Sequence, residues 1–588
     1  MSHTTPSRGV PRRTMLAFGG LSLTLPAILA ACGSNDSGNG SNGSDNGGTS
    51  GSGARATEGT IDADGILTIG ATVGTSNVFP ENFNVFGGGD SAPGNGLFWE
   101  TLFRITSQDG SALVPNLAES VEYTEDGKVA TYKLRDDVTW NDGTPFTSKD
   151  VAFTYGFVYE EPGTEPDEDG NLPWLNKAIE TPDEHTVVVT YNAPQFQQDL
   201  PLSLYYPIYP EHIYKDLDRQ NYQDKDPVGT GPGKVKDFAG QLIQIELRDD
   251  YWGKKPEAVN EVHIVPAGTA GNIESQITQG KVDWSEGGAP GVVNNFVTMD
   301  DHNGYHYYPD GSTRSIIMAT HMAPTDDPAV RKALRAAVDM GVVADAAGIG
   351  YTVPSITGLD TVIYETMLKD EFKEPMKPDV EAAKKELEDA GWTIEGGHLT
   401  KDGESHPLKL HIQNDNPSEM STMPVVVDQW KNNLGLEVEF TPLPAEVFGP
   451  MQAKGECHLS LWTTNAAGGA FQAFTMYMHT KIYELGDEQA DGNYGRWKMP
   501  DEAQDAIMGI TQTPPDDTDA LIAHCQTLQQ AVADEAPYIP VQSNGAGGMY
   551  SNKKWTGLKT AEDIDYFPRV GGYNNMIHTV ADFAPSKS

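Results

Sequence analysis

With 588 residues, 38% of them hydrophobic, and with 62 glycines and 39 prolines, the chain is long enough for two or three packed domains joined by many turns. Its 40 basic residues stand against 84 acidic ones, a formal charge of −44 that repels nucleic acid and anionic lipid headgroups. That balance argues against partners carrying phosphate backbones and by itself selects no ligand.

At the N-terminus, Arg8, Arg12 and Arg13 precede the apolar run "MLAFGGLSLTLPAILAA", Met15 to Ala31. Gly and Pro interrupt this run, and it is short for a bilayer span of roughly 20 residues, so 1–31 reads as a secretory signal peptide. It closes at "LAAC", Leu29 to Cys32, which resembles the lipobox of bacterial lipoproteins. That resemblance implies cleavage before Cys32 and diacylation of its sulfur. "PRRTML" resembles a twin-arginine export motif but lacks the usual flanking Ser and Lys, so the Sec and twin-arginine routes both stay open.

Residues 32–59 then form a lipidated Cys and a Gly/Ser/Asn tether, "GSNDSGNGSNGSDNGGTSGSG" over 33–53, with almost no side chain able to join a core. About 25 such residues reach roughly 25–30 Å, enough to hold a folded body clear of a membrane. No later stretch approaches a membrane span, so the body from about Thr60 is expected outside the cell, on the outer face of the cytoplasmic membrane. In that oxidising compartment Cys457 and Cys525 are expected either to pair or to stay as two buried thiols. The 14 histidines show no HExxH or close Cys/His set, and no CxxC occurs, so no metal or other cofactor is expected.

The body alternates strand and helix signals. "LIQIEL" (Leu242 to Leu247), "LKLHI" (Leu408 to Ile412) and "LEVEF" (Leu436 to Phe440) each have the two-residue period of a strand with one buried face. In "DPAVRKALRAAVD", Asp327 is an N-cap and Pro328 a first-turn residue, while Val330, Ala333, Leu334, Ala337 and Val338 recur at helical spacing. "PDVEAAKKELEDAGW" places Val380, Ala383, Leu387 and Ala390 on one stripe and ends at Gly391, a left-handed C-cap. "VVVDQWKNNLG" is a helix leading into a strand at Leu436. The fold class is α/β, helices packed on sheets.

One string is denser in structure than a surface loop: "LRDDVTWNDGTPFTSKDVAFTY", Leu134 to Tyr155. Leu134, Val138 and Trp140 finish a strand, Asn141-Asp142-Gly143 makes a tight turn, and Asp150 opens a helix carrying Val151 and Phe153. "LVPNLAES" (Leu113 to Ser120) precedes it; "PVGTGPGKV" (Pro227 to Val235), "DDYWG" (Asp249 to Gly253), "QGKVDW" (Gln279 to Trp284), "DPAVRKALRAAVD", "EAAKKELEDAGW" and "APYIPV" (Ala536 to Val541) follow. In this order the series closely resembles family 5 of the extracytoplasmic solute-binding proteins, the oligopeptide, dipeptide, nickel and oligosaccharide receptors of ABC importers. Two positions depart from it: Gly233 stands where the family usually has Tyr, and His321 where an Asn commonly precedes the helix at Asp327.

The resemblance implies a two-lobed, periplasmic-binding-protein-like α/β fold (class II, cluster C), with an extra subdomain in the first lobe. Lobe I is expected over 60–300 plus 535–588, its subdomain over about 101–205, and lobe II over 310–535. It further implies a monomer that closes on a solute by hinge motion and is then recognised by the permease subunits of an ABC transporter.

Peptide receptors of the family present an Asp, shortly after a Gly-Trp at a strand end, to the peptide ammonium. The matching strand here is "CHLSLWTTNAAGGAFQAF", Cys457 to Phe474, with Ala467 and Gly468 at that place. A buried ammonium without a partner costs several kcal/mol, which weighs against the usual peptide mode. The strand offers Trp462, Thr463, Thr464 and Asn465 instead, an aromatic face with neutral donors and acceptors that suits a sugar chain.

"NVFPENFNVFGGG", Asn77 to Gly89, adds Asn82, Phe83, Asn84 and Phe86 and resembles the Asn-Phe-rich cleft loop of oligosaccharide-binding members. Asn82 and Asn84 suit an ordinary turn equally well, Trp462 suits a core equally well, and Trp99, placed in the first helix, reads as core. The expected ligand-binding set is Asn82, Phe83, Asn84, Phe86, Glu286, His321, Trp462, Thr464 and Asn465, with an oligosaccharide preferred over a short peptide. In a peptide mode, Glu286 would stand in for the missing Asp.

An enzyme is not expected. "GTGPGKV" resembles a phosphate loop, but its first Gly is misplaced and Val235 follows Lys234 where Ser or Thr would hold magnesium. No GxSxG elbow occurs in the body, and the carboxylates of "EPDEDG", Glu165 to Gly170, read as a solvated loop. A secreted glycoside hydrolase and a partner-binding surface lipoprotein are the alternatives to a transport receptor.

Overall fold

The computed structural model of the chain describes residues 64–71, 78–84, 92–105, 113–158, 176–191, 206–218, 221–268, 270–287, 291–347, 353–414, 416–464, 492–559 and 575–587, with single residues at 194, 196, 474, 566 and 568. The expected signal peptide and tether, Cys32, and the 165–170 carboxylates lie outside them.

One ten-stranded mixed sheet organises the body. Along the chain its strands are β1 (Ile66–Ala71), β2 (Gly233–Phe238), β3 (Ile243–Leu247), β4 (Glu261–Pro266), β5 (Trp284–Glu286), β6 (Asn303–Met318), β7 (Leu408–Gln413), β8 (Val438–Leu443), β9 (Leu459–Thr464) and β10 (Tyr538–Ser551). Across the sheet the order is β8-β7-β9-β6-β10-β5-β1-β4-β3-β2. β1 runs parallel to both β4 and β5, and β7 parallel to both β8 and β9, while β6 and β10 are antiparallel to each other at the centre.

The alternation in the sequence sets which face each strand buries. In β3, Ile243, Ile245 and Leu247 are buried while Glu246 is exposed. β8 begins at Val438 rather than Leu436, because Leu436 N still bonds Trp430 O across the helix-ending Gly435, whose φ is +77°.

The helices used below are α1 (Ser148–Val158), α2 (Pro328–Ala336), α3 (Val380–Asp389), α4 (Pro417–Leu434), α5 (Asp501–Gln512) and α6 (Thr518–Glu535). Asp327 caps α2 as expected, its Oδ1 accepting from Ala329 N at 3.0 Å, and Val330, Ala333, Leu334, Ala337 and Val338 are all buried. On α3 the buried stripe narrows to Ala383 and Leu387; Val380 and Ala390 are half-buried, at the helix ends where packing thins.

The Leu134–Tyr155 string is split where one strand was expected. The strand Val129–Leu134 stops at Leu134; Thr139 then bridges Pro145 around the Asp142-Gly143 turn, and Trp140 is buried beneath. Asp150 closes a capping box on α1, with its Oδ2 accepting from Thr147 N at 2.9 Å. This segment borders a separate four-stranded sheet built from Ala118–Tyr123, Val129–Leu134, Thr186–Tyr191 and Asn176–Asp183.

The buried apolar side chains divide into two groups of clusters. One group draws on residues 67–297 and 549–583, including Leu67, Trp99, Trp140, Ile264, Trp284 and Trp555. The other draws on 316–541, including Ile316, Leu334, Trp430, Leu459, Trp497 and Leu528. Among the described residues, β6 and β10 are the strands that run from one group into the other. The glycines of β10 make room for rings lying across it: a Cβ on Gly547 would stand 2.6 Å from Tyr305 Oη, and one on Gly548 2.8 Å from Trp284 Nε1.

Candidate functional site

The pairing of β6 with β10 is regular from Asn303↔Ser551 to Pro309↔Gly545, breaks, resumes at Thr313↔Ser543, and shifts again between Arg314 and Ser315. A register break bends a strand pair and weakens the ladder locally. β9 joins only beyond the break, from Thr313↔Thr464 to Met318↔Leu459. Since β7 runs parallel to β9, the carboxyl ends of both strands point to the break, the end of an α/β sheet where ligand crevices form.

Charged and polar side chains converge there. Arg314, on β6, donates to Thr463 Oγ1 on β9 and to Glu419 Oε1 in the first turn of α4. Asn416 caps α4, its Oδ1 accepting from Ser418 N at 3.0 Å, and its Nδ2 donates to the same Glu419 oxygen at 2.9 Å. From β10, Asn544 Nδ2 donates to Ser312 Oγ at 3.3 Å and lies 3.5 Å from Thr463 Oγ1. Trp462 faces Ser315 across the pairing, and its ring meets Tyr494 edge-on, centroids 5.0 Å apart.

Several buried polar atoms at this end lack a hydrogen-bond partner: Trp462 Nε1, Ser315 Oγ, Ser543 Oγ, Ser418 Oγ, Glu419 Oε2 and Gln542 Oε1. Each such atom costs about 1–3 kcal/mol when left unpaired, so their concentration at one place calls for a hydrogen-bonding occupant. Among the described residues, no group of three His, Cys, Asp or Glu side chains is placed to hold a metal ion.

The expected ligand residues divide sharply. Trp462 is half-buried at the site, and Thr464 ends β9 opposite Thr313. Glu286 ends β5 opposite Gly548, about three residues and hence roughly 10 Å short of the break. Phe86 and Asn465, together with Ala467 and Gly468, lie outside the described residues.

The others are corrected by the structure. Phe83 is 0% exposed, its ring edge-on to Phe98 and Phe238, so no face is left for a solute. Asn82 Oδ1 accepts from Asn84 N and Asp224 N, each at 3.0 Å, and Asn84 Nδ2 donates to Tyr222 O at 2.7 Å. Both asparagines thus tie their loop to 222–224, the turn role that their residue type allowed. His321 lies past the far end of β6, beside Gly455 and Arg496; desolvation and the Arg496 charge hold its imidazole below the usual value.

Trp99 is core, as read, with Nε1 donating to Val228 O at 3.1 Å, but it follows a short 3₁₀ turn (Asn95–Leu97) instead of sitting in an α-helix. Gly229 and Gly231 of the "GTGPGKV" segment press against the backbone of Leu97 and Phe98, which accounts for the glycines without any phosphate. Cys457 and Cys525 are unbonded buried thiols, and burial pushes each up to about 12.

Arg314, Glu419, Asn544, Ser315 and Ser543 were not singled out from the sequence. One signal was present: a lone arginine entering the apolar run Ile316–Met318 invites the question of what neutralises it.

Two groups of cores joined by two long strands, with a polar cluster where the strands break register, define a two-lobed α/β binding protein. Residues 112–483 match the model of the bacterial extracellular solute-binding proteins, family 5 middle region, and the chain belongs to that family. It is 26% identical over 475 residues to the nickel-binding periplasmic protein of Escherichia coli, covering 76% of this chain and 83% of that one. To the oligopeptide-binding protein OppA of Bacillus subtilis it is 24% identical, covering 71% of this chain and 76% of the relative.

Among solved structures it resembles the periplasmic oligopeptide-binding protein of an oligopeptide ABC transporter from Thermotoga maritima. The TM-score is 0.78 at 21% identity, covering 88% of this chain and 99% of the other. A mannohexaose-bound structure of that Thermotoga maritima protein has a TM-score of 0.72 at 20% identity, covering 90% and 100%. Members of the family are binding proteins, and among the described residues no helix is long and apolar enough to cross a membrane.

Proposed function

We propose that the protein is the lipid-anchored, extracytoplasmic solute receptor of an ABC importer, and that its solute is an oligosaccharide rather than a short peptide. In this reading lobe I (60–300 and the C-terminal stretch) and lobe II (from 310) close on the solute by bending at the register break. The two groups of cores support that division, with the crossovers at 309–313 and 543–545. The return to lobe I then falls near 544 and not 535, since Ala536, Ile539 and Val541 pack in the second group.

The observation that carries the sugar reading is the electrical state of the site. Its described carboxylate, Glu419, is already neutralised by Arg314, and an indole N–H and serine hydroxyls beside it lack partners. Neutral donors and acceptors next to an aromatic ring suit hydroxyl-rich rings, whereas a peptide ammonium needs a free carboxylate. The mannohexaose-bound fold relative carries a peptide-binding name, which agrees with a sugar ligand on this scaffold.

Calorimetry with mannohexaose and cellohexaose beside tetrapeptides tests the reading. Saturable heats from a neutral oligosaccharide are expected; tight peptide binding with silent sugars overturns it. The sugars are expected to be recovered uncleaved, and product formation would favour a hydrolase. Release of the protein into the medium on Cys32→Ser is the expected sign of the lipid anchor.

A further inference from the structure

Among the described residues, four that are not glycine have positive φ, and two of them fall in one short turn, Asn493 to Trp497: Asn493 at +37° and Arg496 at +56°. Such backbone is unfavourable for a residue with a side chain and persists only where the surroundings hold it. Here they do. Asn493 Nδ2 donates to Trp497 O and Asn493 Oδ1 accepts from Trp497 N, both at 2.9 Å, so one buried amide clamps the turn end to end. Thr320, just beyond β6, donates from its N to Gly495 O at 2.7 Å and from its hydroxyl to Arg496 O at 2.8 Å. Gly495 lies so close to β6 that a Cβ on it would stand 2.5 Å from Met318 O, and Arg496 donates to Ala453 O at 2.7 Å.

The clamp presents Tyr494. Its half-buried ring meets half-buried Trp462 at 78°, centroids 5.0 Å apart, while Asn493, Arg496 and Trp497 beside it are each 3% exposed. Glycine at 493 and 496 would make the same connection to α5 without strain, so a linker role leaves the clamp unexplained. An independent observation points to a ligand. Trp462 Nε1 has no hydrogen-bond partner, and neither has Oγ of the fully buried Ser315, the residue paired with Trp462 across the sheet. Aromatic surface beside neutral donors and acceptors matches the apolar faces and hydroxyls of a pyranose ring.

We propose that Tyr494 contacts the solute, forming with Trp462 an aromatic corner that takes one pyranose ring, and that Asn493 is its positioning residue. The inference rests on the oligosaccharide reading of the site.

The test titrates wild type, Tyr494→Ala, Tyr494→Phe, Asn493→Gly and the double variant Asn493→Gly/Tyr494→Ala with mannohexaose and cellohexaose by calorimetry, with thermal melts as the control for folding. Tyr494→Ala is expected to weaken hexaose binding at least about tenfold, and Tyr494→Phe, which keeps the ring, less than about threefold. Asn493→Gly takes the positive φ freely but lacks the clamp, and is expected to weaken binding about tenfold. In the double variant the Asn493 change is expected to add less than about twofold, because it acts only through the ring. Should Asn493→Gly not fold, Asn493→Asp keeps the acceptor for Trp497 N and loses only the donor to Trp497 O. It is expected to show a smaller loss with the same lack of additivity.

Unchanged hexaose binding by a folded Tyr494→Ala overturns the proposal, as does a loss in Tyr494→Phe equal to that in Tyr494→Ala. Losses that add in full in the double variant overturn the positioning role of Asn493. Wild type silent to both hexaoses but binding tetraalanine overturns the oligosaccharide reading instead, and the same variants titrated with tetraalanine then decide whether Tyr494 contacts the solute.

Discussion

Asp283 and Asp300 are both buried carboxylates beside a lysine, yet their environments drive them in opposite directions. Burial dominates at Asp283 and raises it to about 6 against the pull of Thr68 N, at 2.8 Å, and of Lys554. A folded-state value above the unfolded one means that its contribution is present below about pH 4 and is lost as pH rises through about 6. Asp283→Asn keeps the acceptor for Thr68 N and sheds the charge. It is expected to stabilise the protein at pH 8 by on the order of 2 kcal/mol, with the gain vanishing toward pH 4 in thermal melts.

At Asp300, burial also acts upward, but the hydrogen bonds from His302 and the Lys553 ammonium at 3.0 Å outweigh it and hold the carboxyl at about 2. Its contribution is present above about pH 4 and is lost as pH falls toward 2. Asp300→Asn is expected to cost about 3 kcal/mol at pH 7, because it breaks the 3.0 Å ion pair with Lys553, whose side chain is 3% exposed. Urea unfolding at pH 7 and pH 3 checks this, since the difference between variant and parent should shrink at the lower pH.

At the scale of the element, the helices were the most legible part of the sequence. A cap such as Asp327 and a stripe such as Val330–Leu334 depend on neighbours three or four positions away, which a linear reading contains. Asp327 also does what spacing cannot show: its Oδ2 accepts from Trp392 Nε1 at 2.8 Å and meets Lys401 at 3.1 Å, joining α2 to the turn after α3. Asp327→Ala is therefore expected to cost about 2 kcal/mol, more than the ~1 kcal/mol of a cap alone, because the indole N–H of buried Trp392 also loses its acceptor. Chemical denaturation of Asp327→Ala beside Asp327→Asn, which keeps the cap, separates the two parts.

The site was legible only in part, and the reason is visible in its residues. Trp462 and Thr464 share one strand with the expected motif, so a resemblance along the chain reached them. Arg314 and Glu419 are separated by 105 positions, and Asn544 and Thr463 by 81, so nothing local marked them as neighbours. Conversely, Asn82, Phe83 and Asn84 have the composition of a cleft loop, but their side chains are committed to Asp224, Phe98 and Tyr222.

For the whole molecule, the closure proposed above would bend the chain at the register break. Two strands carry the chain across it, and the cores on either side share no cluster, so bending there disturbs little packing. Small-angle scattering is expected to show a smaller radius of gyration when a saturating oligosaccharide is added; an unchanged profile at saturation would remove hinge closure from the account.

The sequence by itself determined the α/β class, the caps and buried stripes of the helices, the β3 and β7 strands and the family, because each rests on spacing or order along the chain. Only the tertiary structure decided that Phe83 is core, that the cysteines remain thiols, that His321 lies away from the break, and that Glu419 pairs with Arg314. Those outcomes depend on which distant segments the fold presses together, and burial, charge pairing and hydrogen-bond satisfaction are set by that contact and not by position in the chain.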